Sequence, residues 1–427
     1  MTIRKFFSVS LVVCSLQFGI SRNAGAQSPS EIVIEWNRIL QATLGIPGAL
    51  PPTIFVTRPY AILHVAMFDA LNSIDYTYRP YAVLATVAGS PSREVAAARA
   101  ARDVMVAMFP AQAATFDAAL ATTVARFPGD AATQGASIGA VAAQAILTAR
   151  ANDGWFRTAQ LPYILPDLPG YWQPVPPQNA TATLVHYPEV LPFAIGSRDQ
   201  FLMEAPPALT SQRYADDFNQ VKMLGSATST VRTAQQTQTA QLWAAVGYST
   251  SAFGAWYNLG RDLARARSLN GVDTARVMAL LAITQHDALL TSFSGKFLYG
   301  LWRPTTAIRG ADRDNNPATE ADPSFVSLIS TPPYPSYPGN MACIGASSST
   351  LYALVWGRDD IPFSVTWTGI APQADVTRSY NGFRQAADEE AMSRIYAGIH
   401  FRFDHTASFG VCGNLANYVF SNYLLPK

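Results

Sequence analysis

The 427-residue sequence contains few charged residues, and it lacks several patterns that identify a function directly. Charged residues make up 14% of the chain and the formal net charge is +1. Because no basic patch or run of like charges occurs, nucleic acid is not expected as a partner. The sequence also lacks a metal-ligand cysteine–histidine cluster, a glycine-rich phosphate loop and a Gly-x-Ser-x-Gly motif. These absences argue against zinc-binding, nucleotide-binding and serine-hydrolase classes.

Long apolar runs are also lacking, apart from one at the N-terminus. Arg4 and Lys5 precede an apolar stretch over 6–20, and small residues follow at 24–26. This order is typical of a secretory signal peptide and predicts Gln27 as the mature N-terminus, in a secreted or periplasmic protein. A membrane anchor is the alternative, but the run is shorter than the roughly 20 residues that span a bilayer. No stable membrane insertion is expected.

Cysteine is scarce, with only three residues in the whole chain. Cys14 lies within the predicted signal peptide, so that Cys343 and Cys412 alone would remain after export. An exported protein can oxidise such a pair to a disulfide. The sequence leaves open whether the two form a bridge or stay as buried free thiols.

Apolar residues recur with helical spacing in most of the remaining sequence. In the N-terminal half this spacing predicts four helices, over 58–74, 93–109, 111–127 and 131–151. Three of these segments are rich in alanine, which allows helices to approach closely and favours a helical bundle.

A proline-rich segment follows this first group of helices and cannot form helix interior. Beyond it, helices are expected again from Ser211, including one capped by Asp273 that continues to Leu301 and others over 342–356 and 382–399. No window alternates convincingly with a period of two, so no substantial sheet is predicted. The expected fold is all-α, with two helical bundles joined by a proline-rich crossover. The predicted divisions are a signal peptide (1–26), an N-terminal bundle (27–160), a connector (161–210) and a C-terminal bundle (211–427).

The first chemical motif is Lys296-x6-Arg303-Pro304. Seven residues make almost two helical turns, which predicts both cations on one helix face, with Pro304 ending the helix. An ammonium and a planar guanidinium together suit a tetrahedral oxyanion. Their neighbours are strongly apolar, and cations in such surroundings need a partner.

The second motif is the run 332–341, PPYPSYPGNM, which predicts a rigid turn that leads into a helix. Free N–H groups at a helix start bind anions without any side chain. The third motif is Ser393-Arg394-x5-His400-x3-Asp404. His400 and Asp404 are four residues apart, so Asp404 can accept from one imidazole nitrogen and leave the other facing a pocket.

Together and in this order, the three motifs resemble the signature of the vanadium-dependent haloperoxidase and type 2 phosphatidic acid phosphatase superfamily. The likeness is greatest to its soluble bacterial haloperoxidase-like branch and extends over nearly the whole mature chain. It implies that Lys296, Arg303 and Arg394 hold the oxygens of vanadate, with phosphate as the alternative occupant. It implies also that His400 is the axial vanadium ligand or, in a phosphatase, the nucleophile.

The second motif departs from the family pattern. The family has Pro-Ser-Gly-His where this chain has Pro338-Gly339-Asn340-Met341. By resemblance Gly339 and Asn340 still lie at oxyanion-binding positions, but Met341 replaces the acid–base histidine. A thioether neither gives nor takes a proton near neutral pH. Losing a general acid–base group typically costs about 10²–10⁴-fold in rate.

A neighbouring histidine could substitute for the missing one. His286 and His405 are the candidates, although both lie in poor helical register for the pocket, while His64 and His186 are interpreted as structural. The resemblance therefore implies a haloperoxidase-like protein with weakened or altered peroxidase activity on peroxide and halide. Two alternatives remain: a phosphatase acting through a phosphohistidine on phosphate esters with good leaving groups, and a non-catalytic oxyanion-binding or scaffold protein.

Overall fold

The computed structural model describes residues 28–50, 54–155 and 161–427, so that the predicted signal peptide (1–26) and Gln27 lie outside the described residues. Over these ranges the chain is mostly helical, with thirteen α-helices and one two-stranded sheet. The helices are α1 Pro29–Leu44, α2 Thr57–Asp75, α3 Arg93–Met108, α4 Ala113–Arg126, α5 Asp130–Ala149, α6 Gln212–Gly225, α7 Ala234–Trp243, α8 Ala252–Ala266, α9 Gly271–Tyr299, α10 Pro304–Arg309, α11 Asn340–Trp356, α12 Phe383–Tyr396 and α13 Arg402–Asn422. The strands are β1 Phe363–Trp367 and β2 Val376–Tyr380. None of the described helices is long and apolar enough to span a bilayer. The expected all-α class is confirmed.

The alanine-rich sequence of the N-terminal half sets how its helices pack. Helices α3 and α5 lie against each other along their small-residue faces. At Gly139 an added Cβ would overlap the backbone oxygen of Ala96, so any larger residue would force the two helices apart. The predicted close approach of alanine-rich helices is therefore found at this contact.

Helix α9 is the central element of the molecule. It is buried along nearly its whole length and contacts α1 and α2 on one side and α11 and α13 on the other. The predicted cap was wrong by three residues: the Asn270 side chain, not that of Asp273, accepts from the first turn, at the Asp273 N–H. Asn270 has the extended backbone that an N-cap residue requires, whereas Asp273 is already helical.

The proline-rich connector is ordered, although within its described part it forms no α-helix and only one short 3-10 turn, Tyr187–Glu189. Trp172 and Tyr187 are buried, as expected for a segment packed on the core. The buried carboxylate of Asp287, on α9, accepts the N–H groups of Phe193, Ala194 and Ile195 at 2.6–2.9 Å. This bonding fixes the connector to the central helix.

The hairpin was not predicted. Strands β1 and β2 pair antiparallel in a register that sets Phe363 opposite Tyr380. Each strand has only five residues, and its exposed positions include paired serine and threonine hydroxyls. Runs this short give a period-two pattern too little length to stand out from a mostly helical sequence.

Cys343 and Cys412 form a disulfide, with their Cα atoms 5.3 Å apart. Helices α11 and α13 pack side by side, and successive turns of α13 meet α11 in order. Asp404 O accepts from Gly339 N, Ser408 Oγ donates to Gly339 O, and Cys412 reaches Cys343. The two helices thus run in the same direction, which is the arrangement that permits a bridge twelve residues beyond His400.

We predict that the bridge contributes substantially to stability. It closes a loop of 69 residues and fixes the two helices that border the site. The double substitution Cys343→Ser with Cys412→Ser should lower the free energy of unfolding by about 2–5 kcal/mol, as measured by urea denaturation. Thiol titration of denatured, unreduced mature protein should find no free thiol. Two free thiols per chain, or equal stability after reduction, would contradict the pairing.

Candidate functional site

The three motifs converge where several helices end or begin. Helix α9 ends at Gly300, which has a left-handed backbone with φ of 59°. Arg303 is then the N-cap of the short helix α10, and Pro304 is its first residue. The expectation that Lys296 and Arg303 share one helix face was therefore wrong, as was the expectation that Pro304 ends a helix. The two cations meet because the chain turns at Gly300.

Lys296 is fully buried, and its ammonium group is already saturated with hydrogen bonds. Its Nζ donates to the carbonyl oxygens of Pro335, Ser336 and Pro338 at 3.1, 2.6 and 2.5 Å. An ammonium has three N–H groups, so these bonds use all of them. Lys296 thus holds the turn of the second motif and places a positive charge behind it.

Arg303 is fully buried and connects the second and third motifs. Its Nε donates to Tyr334 O at 2.7 Å, and its Nη1 donates to Ile399 O at 2.9 Å and lies 3.1 Å from His400 Nε2. Its Nη2 is buried and has no partner. An unpaired N–H of a buried guanidinium is costly and marks a place where an anion would be stabilised.

Arg394 lies on the last turn of α12 and contributes a second unsatisfied guanidinium. Its Nε and Nη1 atoms are buried and have no hydrogen-bond partner. Glu390, one turn earlier, accepts from Trp256 Nε1 at 2.9 Å and forms no ion pair with Arg394. The charge of Arg394 lowers the pKa of both Arg303 and His400, so the two guanidinium groups lie in the same region of the protein.

His400 and Asp404 contact each other, but not as neighbours along a helix. His400 follows Gly398, whose φ of 77° breaks the chain after α12 as predicted, and Asp404 lies in the first turn of α13. His400 Nδ1 and Asp404 Oδ2 are 2.6 Å apart, so Nδ1 carries the proton and Nε2 keeps its lone pair.

Ser336 is a site residue that sequence reasoning missed. Its hydroxyl donates to Asp404 Oδ2 at 2.7 Å, and the Phe401 N–H donates to the same oxygen at 3.2 Å. A serine within a proline-rich turn carries no signal of this contact, since it depends on how the turn packs against α13.

The degenerate second motif forms the start of α11. Gly339 is the N-cap and gives no side-chain cap, so the first amide groups of the helix, from Asn340 onward, lack one. The Gly339 N–H itself donates to Asp404 O at 3.0 Å and is not free for a ligand. Asn340 is buried, whereas Met341 is half-buried and packs against the apolar core. Residue 341 is thus used for packing here.

The other histidines divide into two groups. His64 bonds Asn37 at 2.8 Å and lies beside the rings of Tyr60 and Tyr257. His286 is buried among Trp155, Tyr187 and Phe193, away from the motifs. By contrast His405 lies at the site, with its ring centroid 5.8 Å from that of His400.

Burial and mutual repulsion among cations determine the ionisation of the site. Burial, then Arg303 and Lys296, hold the pKa of His400 well below its usual value. Burial also lowers the pKa of Arg303 to about 10 and raises that of Asp404 to about 6. His400 therefore stays uncharged at neutral pH, and its Nε2 lone pair faces Nη1 of Arg303 at 3.1 Å.

Two sequence comparisons find known proteins that are similar to part of this chain. Residues 276–424 match the family model of the VCPO second helical-bundle domain. The vanadium chloroperoxidase of Curvularia inaequalis is 24% identical over 195 residues, which cover 36% of this chain and 31% of that protein. The chain thus spans about a third of the length of this curated relative.

Solved structures show a likeness over most of the chain. A bacterial vanadium-dependent iodoperoxidase superposes with a TM-score of 0.79 at 21% identity, covering 94% of this chain and 98% of that one. A holo-type bacterial vanadium-dependent chloroperoxidase gives a TM-score of 0.68 at 15% identity, over 89% and 94% of the two chains. At these identities the likeness establishes the fold.

We predict that tetrahedral oxyanions stabilise the protein through Arg394. Phosphate at a hundred times its dissociation constant should raise the free energy of unfolding by about 2.7 kcal/mol. Arg394→Ala should lose most of this gain, because it removes the unpaired nitrogens. Arg384→Ala is the matched control, since Arg384 lies on the same helix but is exposed and paired with Asp388. Equal phosphate-induced shifts in both variants would contradict the assignment.

Proposed function

Since the chain has the vanadium haloperoxidase fold and its residues 276–424 belong to the VCPO second helical-bundle family, we propose that it binds vanadate and oxidises halide with peroxide. The observation that carries the proposal is the set of unpaired, buried guanidinium nitrogens near His400. Arg303 contributes one such atom and Arg394 two. Buried charged donors without partners are rare in folded proteins and mark ligand sites.

The residues fit a tetrahedral oxyanion better than a bare metal cation. Three unpaired guanidinium nitrogens are donors, whereas Asp404 has one oxygen engaged by His400 and Ser336 and one buried oxygen without a partner. Among the described residues, no group of three or more His, Cys, Asp or Glu side chains is placed to hold a metal ion. An uncapped start of α11 adds partial positive charge. Vanadate, when bound, supplies the centre at which hydrogen peroxide becomes reactive towards halide.

Each site residue has a proposed task that follows from its contacts. Arg303 and Arg394 would hold the anion's oxygens, and Asn340 would offer its amide at the start of α11. Lys296 contributes charge and rigidity, because its N–H groups are used by the turn. Asp404 fixes the tautomer of His400, whose Nε2 would be the vanadium ligand. Gly339 contributes space, since its N–H is taken.

Met341 weakens the expected chemistry. A thioether cannot move a proton, and this one packs against the core. We therefore expect halide oxidation that is slower than in a site with a histidine there, by up to about 10²–10⁴-fold.

Phosphate is the alternative occupant, because it presents the same tetrahedral oxygens. In a phosphatase reaction, His400 Nε2 would attack the phosphorus of a phosphate ester as the P–O bond to the leaving alcohol breaks. Water would then hydrolyse the phosphohistidine to phosphate, and esters with good leaving groups would react best. The third alternative is a site that binds the anion without catalysing a reaction. We also propose that the protein is exported, as the predicted signal peptide indicates, and the disulfide supports this because such bonds persist in oxidising compartments.

Parallel assays of purified mature protein distinguish these functions. Bromide and iodide oxidation with hydrogen peroxide should require added vanadate and should disappear in His400→Ala. A phosphate ester with a good leaving group should be hydrolysed slowly, if at all, by the vanadate-free protein.

Thr406→Ala serves as the control, because Thr406 is exposed and lies two residues beyond Asp404. Ester hydrolysis that depends on His400, without halide oxidation, would replace the proposal with a phosphatase. Vanadate binding without either activity would leave a binding protein.

A further inference from the structure

His405 is a buried histidine at the site that the proposed roles above leave unused. It follows Asp404 in the first turn of α13 and is 4% exposed. Its Nε2 atom is buried and has no hydrogen-bond partner. Burying a polar group of this kind without a partner costs free energy, so an unpaired imidazole nitrogen requires an explanation.

The ring lies directly against the N-cap of α11. A Cβ added to Gly339 would be 2.9 Å from His405 Cδ2, closer than side-chain Cβ atoms approach other groups. Cδ2 is bonded to Nε2, so the unpaired nitrogen lies one bond from the ring atom that meets Gly339. Gly339 stands where the family motif has serine, and a serine there would overlap the imidazole.

Two of the three cations that act on His405 belong to the oxyanion site. Burial lowers its pKa to about 3, and Arg394, Arg402 and Lys296 act in the same direction. Lys296 belongs to α9, Arg394 to α12 and Arg402 to α13. The imidazole therefore lies within the field of the cations that would hold the ligand, and His400 is its ring neighbour.

We propose that His405 contacts the bound oxyanion through Nε2 and supplies the imidazole that Met341 no longer provides. Gly339 is the companion change, because the absence of a side chain there leaves room for the ring. The imidazole reaches the site from the start of α13 instead of from the start of α11. This inference rests on the proposed function, since it requires that an oxyanion binds among Arg303, Arg394 and His400.

His64 shows the surroundings of a packing histidine, because its Nε2 pairs with Asn37 and its ring lies beside Tyr60 and Tyr257. Its Nδ1 is also buried and unpaired, so a missing partner alone does not mark a ligand contact. The distinguishing feature of His405 is its position, since its ring lies against Gly339 and beside His400. A neutral imidazole with its proton on Nε2 donates to an anionic oxygen, which satisfies this nitrogen and adds a hydrogen bond to the ligand.

Calorimetric titration with inorganic phosphate and with vanadate tests the contact. His405→Ala should weaken binding by about 10-fold to 100-fold, the usual loss for a hydrogen bond to a charged group. His405→Gln should recover part of the affinity, because its amide can also donate. Thr406→Ala, on the exposed side of the same turn, should bind like the wild type.

The contact between His405 and Gly339 provides a second, independent test, again measured as anion affinity. Gly339→Ser alone should reduce anion affinity, because the serine and the imidazole compete for one place. The same change in the His405→Ala background should cost little or restore affinity. The change of Gly339, Asn340 and Met341 to Ser, Gly and His should likewise need His405→Ala before it binds vanadate well.

The outcomes distinguish the proposed function from the proposed role of His405. A wild type that binds neither phosphate nor vanadate at millimolar concentration overturns the proposed function, and this inference with it. A wild type that binds, with unchanged affinity in folded His405→Ala, overturns the inference alone. Additive effects of Gly339→Ser and His405→Ala would also overturn it, since residues that compete for one place must be coupled.

Discussion

The buried carboxylate of Asp404 is the interaction on which the geometry of the site depends. Its Oδ2 accepts hydrogen bonds from His400 and Ser336, and its main-chain oxygen accepts one from the N–H of Gly339. One residue thus connects the turn of the second motif to the third motif and fixes the tautomer of His400. Burial raises the pKa of this carboxyl to about 6, while its bond to Ser336 and the charges of Lys296 and Arg303 favour the ionised form. Ser336 therefore both favours the ionised acid and is held in place by it.

This one carboxylate does not balance the charge around it. Lys296, Arg303 and Arg394 are basic, and Arg394 has no acidic partner among the ion pairs of the described residues. A buried surplus of positive charge is costly unless an anion completes it. The stabilisation supplied by the central helix α9, the connector bonded to Asp287 and the disulfide between α11 and α13 can offset this cost. Under the proposed function such a site would be preorganised for an anion, because little would remain to be ordered on binding.

Helical periodicity predicted the elements well, since alanine-rich and apolar stripes directly reflect packing faces. The chemical motifs indicated which residues meet, although the reasons given for their meeting were partly wrong. Lys296 and Arg303 were expected on one helix face, but the left-handed turn at Gly300 separates them into two helices. Gly300 followed by Pro304 is a typical signal of a helix end, but the expected helix was extended past this glycine to Leu301. The contacts of Ser336 and the saturation of Lys296 depend on tertiary packing of a proline-rich turn, which no local pattern encodes.

The second motif shows why residue identity at one position is a poor guide to function. By resemblance a histidine is expected at 341, and the methionine there suggests a loss of function when α11 is considered alone. Across the interface with α13, however, the absence of a side chain at 339 and the imidazole at 405 are complementary, because the His405 ring lies beside Gly339. A site built where two parallel helices start can receive the same chemical group from either one. The physical constraint is the position of the imidazole relative to the anion, and it matters less which helix carries the histidine.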